Sequence, residues 1–351
     1  MTITIVLGAC VQQETPEQEA DQTLQEDTDS EKQLEVIAED LKEPWEIVKT
    51  GDTFYISERR GSIVKIQDGK KTRMPVQFSE DLSNQPEAGL LGIAFPENFN
   101  ETSTGYAYYS YQENENYYQR VVKIQSQNDK WKETATLLDK IPGGQFHQGG
   151  RIEIGPDNKL YITTGDATNP ELSQDLNSLA GKILRMNPDG TIPEDNPFEN
   201  SYVYSYGHRN PQGLAWNEDN QLYATEHGSS AHDEINRIIK GRNYGWPAIR
   251  GDESAPQMKT PIIHSGNDTW APSGMTYFNS NFYFASLAGE GLRQFDPEKE
   301  SQTRIISDVG RVRDALATDK GIYFITNNTD GRGTPAENDD RLLFLLQQEL
   351  N

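Results

Sequence analysis

The polar residues best placed for chemistry lie beside glycines at the ends of predicted strands. His147 sits between two pairs of glycines in GGQFHQGGRIEIGPDNKLYITTGD, residues 143–166, and Asp166 closes the strand that follows. A second polar pair, Glu226 and His227, closes the strand in YATEHG. Because glycine lets a ligand or a metal approach the backbone closely, this pattern predicts that His147 points into a binding pocket.

The elements that must position these residues follow a repeat built around tyrosines. An aromatic-centred strand, a loop and a second strand recur six times, from TFYISERRGSIVKIQDG to GIYFITNN and DDRLLFLL. Strand signals dominate, and long stretches with a helical period are nearly absent. The anchors of the repeat, spaced 40 to 62 residues apart, are Tyr55, Tyr108, Tyr161, Tyr223, Tyr283 and Tyr323.

This spacing predicts an all-β fold, a six-bladed β-propeller with four-stranded antiparallel blades. Propeller blades recur every ~40–50 residues, and insertions would lengthen some of them. A single blade cannot bury both of its faces, so neighbouring blades must stack around an axis. A β-sandwich is the alternative fold, but it would not explain the repeat. In a propeller, the residues that close the inner strands line one mouth of the central channel, where ligands bind.

The charge of the chain excludes two classes of partner. Its 351 residues include 32 Lys and Arg against 55 Asp and Glu, which gives a formal net charge of −23. Nucleic-acid binding needs clustered cations, and docking on an anionic membrane surface needs basic residues. We therefore expect no nucleic-acid partner and no electrostatic membrane contact.

The N-terminal segment divides the chain into three predicted regions. Residues 1–10 read MTITIVLGAC, in which small residues before Cys10 resemble the lipobox of a bacterial lipoprotein, where the cysteine is acylated. Residues 11–40 hold eleven Asp or Glu against one Lys and lack the apolar residues needed for a core. We predict a truncated signal, an acidic disordered tether and a single domain over 41–351, with an extracytoplasmic location. An ordinary N-terminal strand is the alternative for the first segment.

Six motifs in order along the chain carry a resemblance to a known family. They are AGLLGIAFPENF, HQGGRIEIGPDNKLYITTGD, GHRNPQGLAW, DEINRIIKGRNYGWP, APSGM and GRVRD. Together they closely resemble the glucose/sorbosone dehydrogenase family, which includes the soluble quinoprotein glucose dehydrogenases and the bacterial aldose sugar dehydrogenases. The resemblance covers nearly the whole domain and implies a six-bladed propeller. It also implies oxidation of aldose sugars at the anomeric hydroxyl, with pyrroloquinoline quinone (PQQ) and calcium as cofactors.

The resemblance assigns three catalytic residues. His147 matches the general base that takes the proton of the anomeric hydroxyl as hydride leaves for the quinone, a role suited to a group whose pKa is ~6.5. Asp166 matches the carboxylate that orients this histidine. Arg209, in GHRN, matches a residue that contacts the quinone, where a guanidinium can stabilise developing negative charge.

The same resemblance assigns the cofactor and metal contacts. The expected cofactor-binding residues, besides His147 and Arg209, are Glu87, Asn210, His227, Arg311 and Arg313. The last two arginines share a strand face, and arginine suits the planar carboxylates of PQQ. Gly228 and Ser229 match positions whose backbone carbonyls bind calcium, which prefers oxygen ligands.

Two positions depart from the family pattern. Glu87 stands where the well-known quinoproteins have a glutamine, and Ala288 stands where they have a lysine against PQQ. Both changes make the pocket less positive, and a carboxylate at Glu87 would repel an anionic quinone unless it were protonated or placed near calcium. Asp252 and Glu253 could hold a further calcium, although exposed, solvated side chains are the favoured interpretation.

Two other functions remain open at this stage. One is a non-catalytic propeller that binds a protein or a ligand, which loss of His147 would favour. The other is a calcium-dependent lactonase, whose metal is held by side-chain carboxylates and asparagines. The sequence names neither the preferred sugar nor the electron acceptor.

Overall fold

The fold, seen in a computed structural model that describes residues 32–350, consists almost entirely of strands. The first nine are β1 (Leu34–Ala38), β2 (Pro44–Thr50), β3 (Thr53–Glu58), β4 (Ser62–Gln67), β5 (Lys70–Gln77), β6 (Leu90–Ala94), β7 (Thr104–Glu113), β8 (Asn116–Gln127) and β9 (Lys130–Pro142). A one-turn helix, α1 (Phe99–Thr102), precedes β7.

The second half of the chain continues the same pattern. Its strands are β10 (Ile152–Ile154), β11 (Leu160–Thr164), β12 (Lys182–Met186), β13 (Val203–Tyr206), β14 (Pro211–Trp216), β15 (Leu222–Glu226), β16 (Glu234–Ile238), β17 (Ile263–His264), β18 (Pro272–Phe278), β19 (Asn281–Ser286), β20 (Gly291–Asp296), β21 (Ser301–Ile306), β22 (Val312–Thr318), β23 (Gly321–Thr326) and β24 (Leu342–Leu346). Two short 3₁₀ helices span Pro170–Ser173 and Gln347–Leu350. The predicted all-β class is confirmed.

Most of the strands pair in antiparallel fashion with their neighbours in the chain. Four sheets have four strands each, in the orders β10–β13, β14–β17, β18–β21 and β1-β24-β23-β22. An eight-stranded sheet joins β2–β5 to β6–β9 through one parallel pairing, of Val76 with Trp131 and Gln77 with Lys132. The six tyrosine anchors all lie in the second strand of such a series, in β3, β7, β11, β15, β19 and β23.

The first strands of these series contact one another in a closed ring. β2 contacts β22 and β6, β6 contacts β10, and β18 contacts β14 and β22, while β14 reaches the preceding series through β11. We call the interior of this ring the hub. The loops before β6, β10, β14 and β22, and those after β11 and β15, open at the same end of the hub and carry the candidate site residues.

A buried ion cluster ties the ring together. Arg151 Nη1 lies 2.7 Å from Glu46 Oε1 on β2 and 3.1 Å from Asp314 Oδ1 on β22. Arg151 Nε donates to the carbonyl of Gln212 on β14, and its guanidinium packs over the ring of Trp45. One side chain therefore links the first strands of three different series with the loop before β10.

The predicted domain boundary at residue 41 is wrong, because β1 lies within the predicted tether. Residues 34–38 pair with β24, so the sheet that ends the chain includes its first described strand. Leu34, Ile37 and Ala38 pack against buried core residues, and this apolar contact outweighs the acidic neighbours. The predictions for residues 1–31, including acylation of Cys10, lie outside the described residues. Within 32–350 no helix has the length and apolar character needed to cross a bilayer.

Candidate active site

His147 is held in a left-handed backbone conformation at the mouth of the hub. Its φ is 62°, a region that non-glycine residues enter at a cost and that is common at functional sites. Its backbone N–H donates to Glu87 Oε2 at 2.8 Å. Gly165 makes the close packing feasible, because a Cβ there would lie 1.9 Å from the His147 carbonyl oxygen. The glycine before Asp166 thus fixes the position of the histidine.

The carboxylate of Asp166 orients the imidazole. Asp166 Oδ1 lies 2.7 Å from His147 Nδ1 and also accepts the Thr168 backbone N–H at 2.8 Å. Asp166 Oδ2 accepts Trp246 Nε1–H at 2.9 Å, and the whole residue is fully buried. A carboxylate fixed at both oxygens cannot rotate away, so the ring of His147 has one favoured orientation.

The contact with Arg209 sets the tautomer of His147. Arg209 Nη2 lies 2.9 Å from His147 Nε2, and a guanidinium has donors and no acceptor. Nε2 must therefore be the acceptor, which leaves the proton on Nδ1, where it is donated to Asp166. This arrangement presents an unprotonated nitrogen to the hub, as a general base requires.

Arg209 is half-buried and forms no ion pair with a carboxylate among the described residues. Its Nη1 donates to the His227 carbonyl at 3.2 Å, and its guanidinium lies over the Trp246 ring. Its Nε–H is buried and has no hydrogen-bond partner within residues 32–350. Burial lowers the pKa of Arg209. An anion in the hub would relieve this unfavourable state.

A second histidine–carboxylate pair, His208 and Glu226, holds the backbone of Arg209; sequence reasoning missed this pair. Glu226 Oε1 accepts the Arg209 backbone N–H, and Glu226 Oε2 lies 2.8 Å from His208 Nδ1. His208 is fully buried, reaches Ser205 Oγ at 2.9 Å through Nε2 and stacks on the Tyr244 ring. Glu226 was expected to line the channel, but its sequence position at a strand end did not show this pairing.

Glu87 is ionised and already neutralised, contrary to the expectation that it would repel an anion. Its Oε1 lies 3.1 Å from Arg332 Nη1, while Oε2 receives the His147 N–H. Burial alone would raise the pKa of Glu87, but the His147 N–H and the Arg332 charge outweigh burial and lower it. Arg332 therefore offsets the loss of positive charge at this position, and sequence reasoning did not single it out.

The two arginines of GRVRD share a face, as their spacing predicted. Arg311 Nη2 lies 3.0 Å from Asp330 Oδ2, and Arg313 Nη2 lies 3.9 Å from the same oxygen. Arg313 also donates to Gln212 and Asn327, yet burial lowers its pKa to about 9. The Nε atoms of both arginines are buried without a partner among the described residues.

Asn210 and His227 lie on the same side of the site as Arg209. Asn210 Oδ1 accepts the Gly149 N–H at 2.9 Å, and the Asn210 carbonyl accepts the His227 N–H at 3.2 Å. His227 Nε2 is buried and unpartnered within residues 32–350, and burial lowers the pKa of this ring to about 4. His227 is therefore a neutral ring at the hub wall.

The predicted metal residues lie on the turn after β15. The Gly228 N–H donates to Asp233 Oδ1 at 2.8 Å, and a Cβ at this position would lie 2.0 Å from the Ala231 carbonyl oxygen, so this turn requires glycine. Ser229 Oγ accepts from Arg250 at 3.1 Å. Over 32–350 no group of three His, Cys, Asp or Glu side chains has metal-binding geometry. Backbone carbonyls are thus the oxygen donors that this turn offers a cation.

The predicted residues divide between two cavities at the mouth of the hub: Glu87 and Arg313 line the first, Arg209, Gly228 and Ser229 line the second, and His227 lines both. The first cavity is also lined by Arg59, Asp330 and Arg332, among others. Three buried N–H donors lack an acceptor among the described residues: Nε of Arg209, Arg311 and Arg313. His147 can accept a proton, and the arginines nearby can bind an anion. These two properties suit a site that binds a planar anion next to a hydroxyl group that must lose its proton. Ala288 and Asp252 play no part in it; the Asp252 side chain is 96% exposed and pairs with His264.

Known proteins share this sequence and fold. The sequence signature of the Glucose / Sorbosone dehydrogenase family matches residues 41–343. The chain belongs to the glucose/sorbosone dehydrogenase family. It is 28% identical over 337 residues to aldose sugar dehydrogenase YliI of Escherichia coli K12, covering 85% of this chain and 91% of that protein.

Two further relatives are a quinoprotein and a PQQ-bound enzyme by name. Quinoprotein glucose dehydrogenase B of Acinetobacter calcoaceticus is 33% identical over 250 residues, covering 62% of this chain and 52% of that longer protein. The PQQ-bound aldose sugar dehydrogenase of Streptomyces coelicolor has a TM-score of 0.82 and 34% identity, covering 90% of this chain and 98% of that chain. The predicted family resemblance is confirmed.

Proposed function

We propose that this family member is a PQQ- and calcium-dependent dehydrogenase that oxidises the anomeric hydroxyl of aldose sugars to a lactone. The observation that carries the proposal is the unprotonated Nε2 of His147, fixed between Asp166 and Arg209 at the mouth of the hub. We also infer that the six series of strands are the six blades of a propeller, because their first strands close into a ring.

The residues at the hub fit the cofactor that the relatives imply. Arg311 and Arg313 would hold carboxylates of the quinone with their free N–H groups, and Arg209 and Asn210 would hold its polar edge. His227 would pack against the ring as a neutral aromatic group. The carbonyl oxygens of the Gly228–Ser229 turn would hold calcium, which takes oxygen ligands.

The chain's own residues supply the acid–base part of the reaction. His147 Nε2 has a single lone pair, so the substrate hydroxyl must take the place of Arg209 at this atom before the proton can move. Asp166 then stabilises the imidazolium that forms. The displaced guanidinium becomes free to donate to an anion in the hub. When bound, the quinone supplies the acceptor for the hydride that leaves the sugar carbon.

The proposal includes the destination of electrons and the location of the protein. Electrons leave to an acceptor that the sequence and fold do not identify. An extracytoplasmic location and a lipid on Cys10 remain predictions, because that residue lies outside the described part of the chain. Acyl labelling of the full chain in a bacterial host tests the lipid on Cys10 and, through it, the location; Cys10→Ser is the control.

Reconstitution tests the main proposal. The purified protein is mixed with PQQ and calcium, and dye reduction is followed with a panel of aldoses. We expect turnover that requires PQQ, and His147→Ala should lower kcat by ~10²–10⁴-fold because a positioned base is lost. His264→Ala, a histidine paired with Asp252 away from the base, is the matched control and should keep full activity.

Two outcomes would contradict the proposal. Turnover of no sugar by the PQQ-loaded protein would remove the dehydrogenase assignment in favour of a binding role. Full activity in His147→Ala, with unchanged far-UV circular dichroism, would remove the role of the base while leaving the family assignment intact.

A further inference from the structure

An arginine-rich cleft lies beside the mouth of the hub in a chain whose net charge is −23. The cleft has a volume of about 480 Å³, within the ~300–1,000 Å³ typical of ligand pockets. Its walls include Arg59, Arg60 and Arg332, together with Asn84 and Gln85. It shares Arg59 and Arg332 with the hub cavity, so the two spaces adjoin.

One of the two carboxylates that line this cleft, Glu43, holds Arg59 and Arg60 in place, whereas the other, Asp330, pairs with Arg311 and Arg313. Glu43 Oε1 accepts Nε and Nη2 of Arg60 at 2.9 and 2.7 Å, and Glu43 Oε2 lies 3.5 Å from Arg59 Nη1. The Arg60 side chain is still 73% exposed and that of Arg332 is 44% exposed. Fixed guanidinium groups with free N–H donors are suited to carboxylate or sulfate oxygens.

The cleft lies near the proposed base, because its wall residue Arg332 packs over the residue that precedes His147. Phe146 precedes His147 and is 38% exposed, an unusual exposure for a large apolar side chain, and the Arg332 guanidinium lies 6.0 Å from its ring centroid. Arg332 reaches the His147 backbone through Glu87. An aromatic face beside planar donors is an arrangement that accepts the apolar face and the polar edge of a sugar ring.

We propose that the cleft binds the second unit of an acidic saccharide whose reducing-end aldose lies at His147. The neighbouring unit would pack on Phe146 and place its carboxylate against Arg60 and Arg332. This inference rests on the proposed function, since it extends the same site outward. It names a substrate class, saccharides that carry a carboxylate, rather than a simple neutral aldose.

Paired substrates test the cleft. The PQQ- and calcium-loaded protein is assayed with a disaccharide of a uronic acid linked to a reducing-end glucose, and with the same disaccharide after its carboxyl group is reduced to an alcohol. We expect a lower KM for the acidic form, and Arg60→Gln should raise that KM by about threefold or more while leaving the KM for free glucose unchanged. Added salt should reduce the difference between the two disaccharides.

Controls separate this proposal from the main one. Arg304→Gln removes an exposed arginine on β21 and makes the same charge change, so it should leave both KM values unchanged. Titration calorimetry of the two disaccharides measures cleft binding without turnover. This measurement tests the cleft even if the protein oxidises no sugar. A dehydrogenase that is active on glucose but treats both disaccharides alike would overturn the inference alone.

The quinone itself is the competing occupant. If Arg60→Gln raised the PQQ concentration needed for half-maximal reconstitution, the cleft would serve the cofactor, and the acidic-saccharide inference would be wrong. Unchanged PQQ dependence together with a selective rise in KM for the acidic disaccharide supports it.

Discussion

Two arginines at the hub, the buried Arg151 and the half-buried Arg209, differ in how their charge is neutralised. Arg151 contacts Glu46 and Asp314 within 3.1 Å, and these carboxylates outweigh the effect of burial and raise its pKa. Arg209 has no carboxylate within ion-pair distance among the described residues, and burial lowers its pKa. Both guanidinium groups also pack on a tryptophan. The comparison separates a charge that holds the fold together from one that is kept available for a ligand.

Removing the compensated arginine gives the largest expected effect on stability. Arg151→Met leaves Glu46 and Asp314 buried beside each other without a cation, which should lower the free energy of unfolding by ~3–5 kcal/mol in urea denaturation. Arg185→Met is the control, because its partners Asp157 and Asp195 are partly exposed and can be solvated. Equal losses in the two variants would contradict the structural role assigned to Arg151.

Removing Arg209, which has no carboxylate partner in the part of the chain that the structure describes, should affect the reaction rate strongly and stability only slightly. Arg209→Met deletes a half-buried charge that forms no ion pair among the described residues, so we expect a change of less than ~1 kcal/mol in unfolding free energy. The rate of PQQ-dependent sugar oxidation should fall by ~10²–10³-fold, because an oriented donor at the reacting centre is lost. A loss of stability as large as that of Arg151→Met would remove the distinction between the two arginines.

The hydrogen bond from Trp246 to Asp166 offers a smaller change near Arg209 that tests the catalytic role of this side of the hub. Trp246→Phe keeps an aromatic ring under Arg209 but removes the indole N–H that binds Asp166 Oδ2. Loss of one buried hydrogen bond, ~1 kcal/mol, should lower kcat about fivefold with KM for glucose nearly unchanged. An altered KM with unchanged kcat would instead indicate a role in substrate binding.

The smallest predicted effect is a pH dependence of stability that comes from His227, a neutral ring on the same side of the site as Arg209. Its pKa is about 4 in the folded protein and ~6.5 when unfolded, so the unfolded chain binds more protons between these values. Stability should therefore fall as the pH drops from about 6.5 towards about 4. His227→Asn should weaken this dependence in unfolding experiments at a series of pH values; a wild-type slope that the variant fully retains would contradict it.

Much of the fold was predictable because it rests on periodic patterns. The tyrosine anchors marked the second strand of every series, since aromatic residues that pack between sheets must recur with the repeat. The boundary at residue 41 failed for a physical reason: β1 is the short apolar run LEVIA inside an acidic segment, and its pairing with a distant strand, β24, cannot be read from local charge.

The candidate site divides in the same way. His147, Asp166 and Arg209 could be assigned from motifs, and the structure brings them within hydrogen-bond distance of one another. Motifs could not predict that Glu226 and His208 support Arg209. Nor could they predict that Arg332 neutralises Glu87, because these two residues are 245 positions apart in sequence. Motifs report which residues meet a ligand; the partners that set their charge depend on tertiary contacts.

The pairing of β1 with β24 has a practical consequence for anyone who shortens this chain. β24 is the apolar run LLFLL, and β1 covers its outer edge. A protein trimmed to begin at residue 41, just where composition suggests an acidic tail ends, would expose that edge to other molecules, and bare apolar strand edges are templates for self-association. β1 therefore protects the edge at which the first and last described strands of the domain pair.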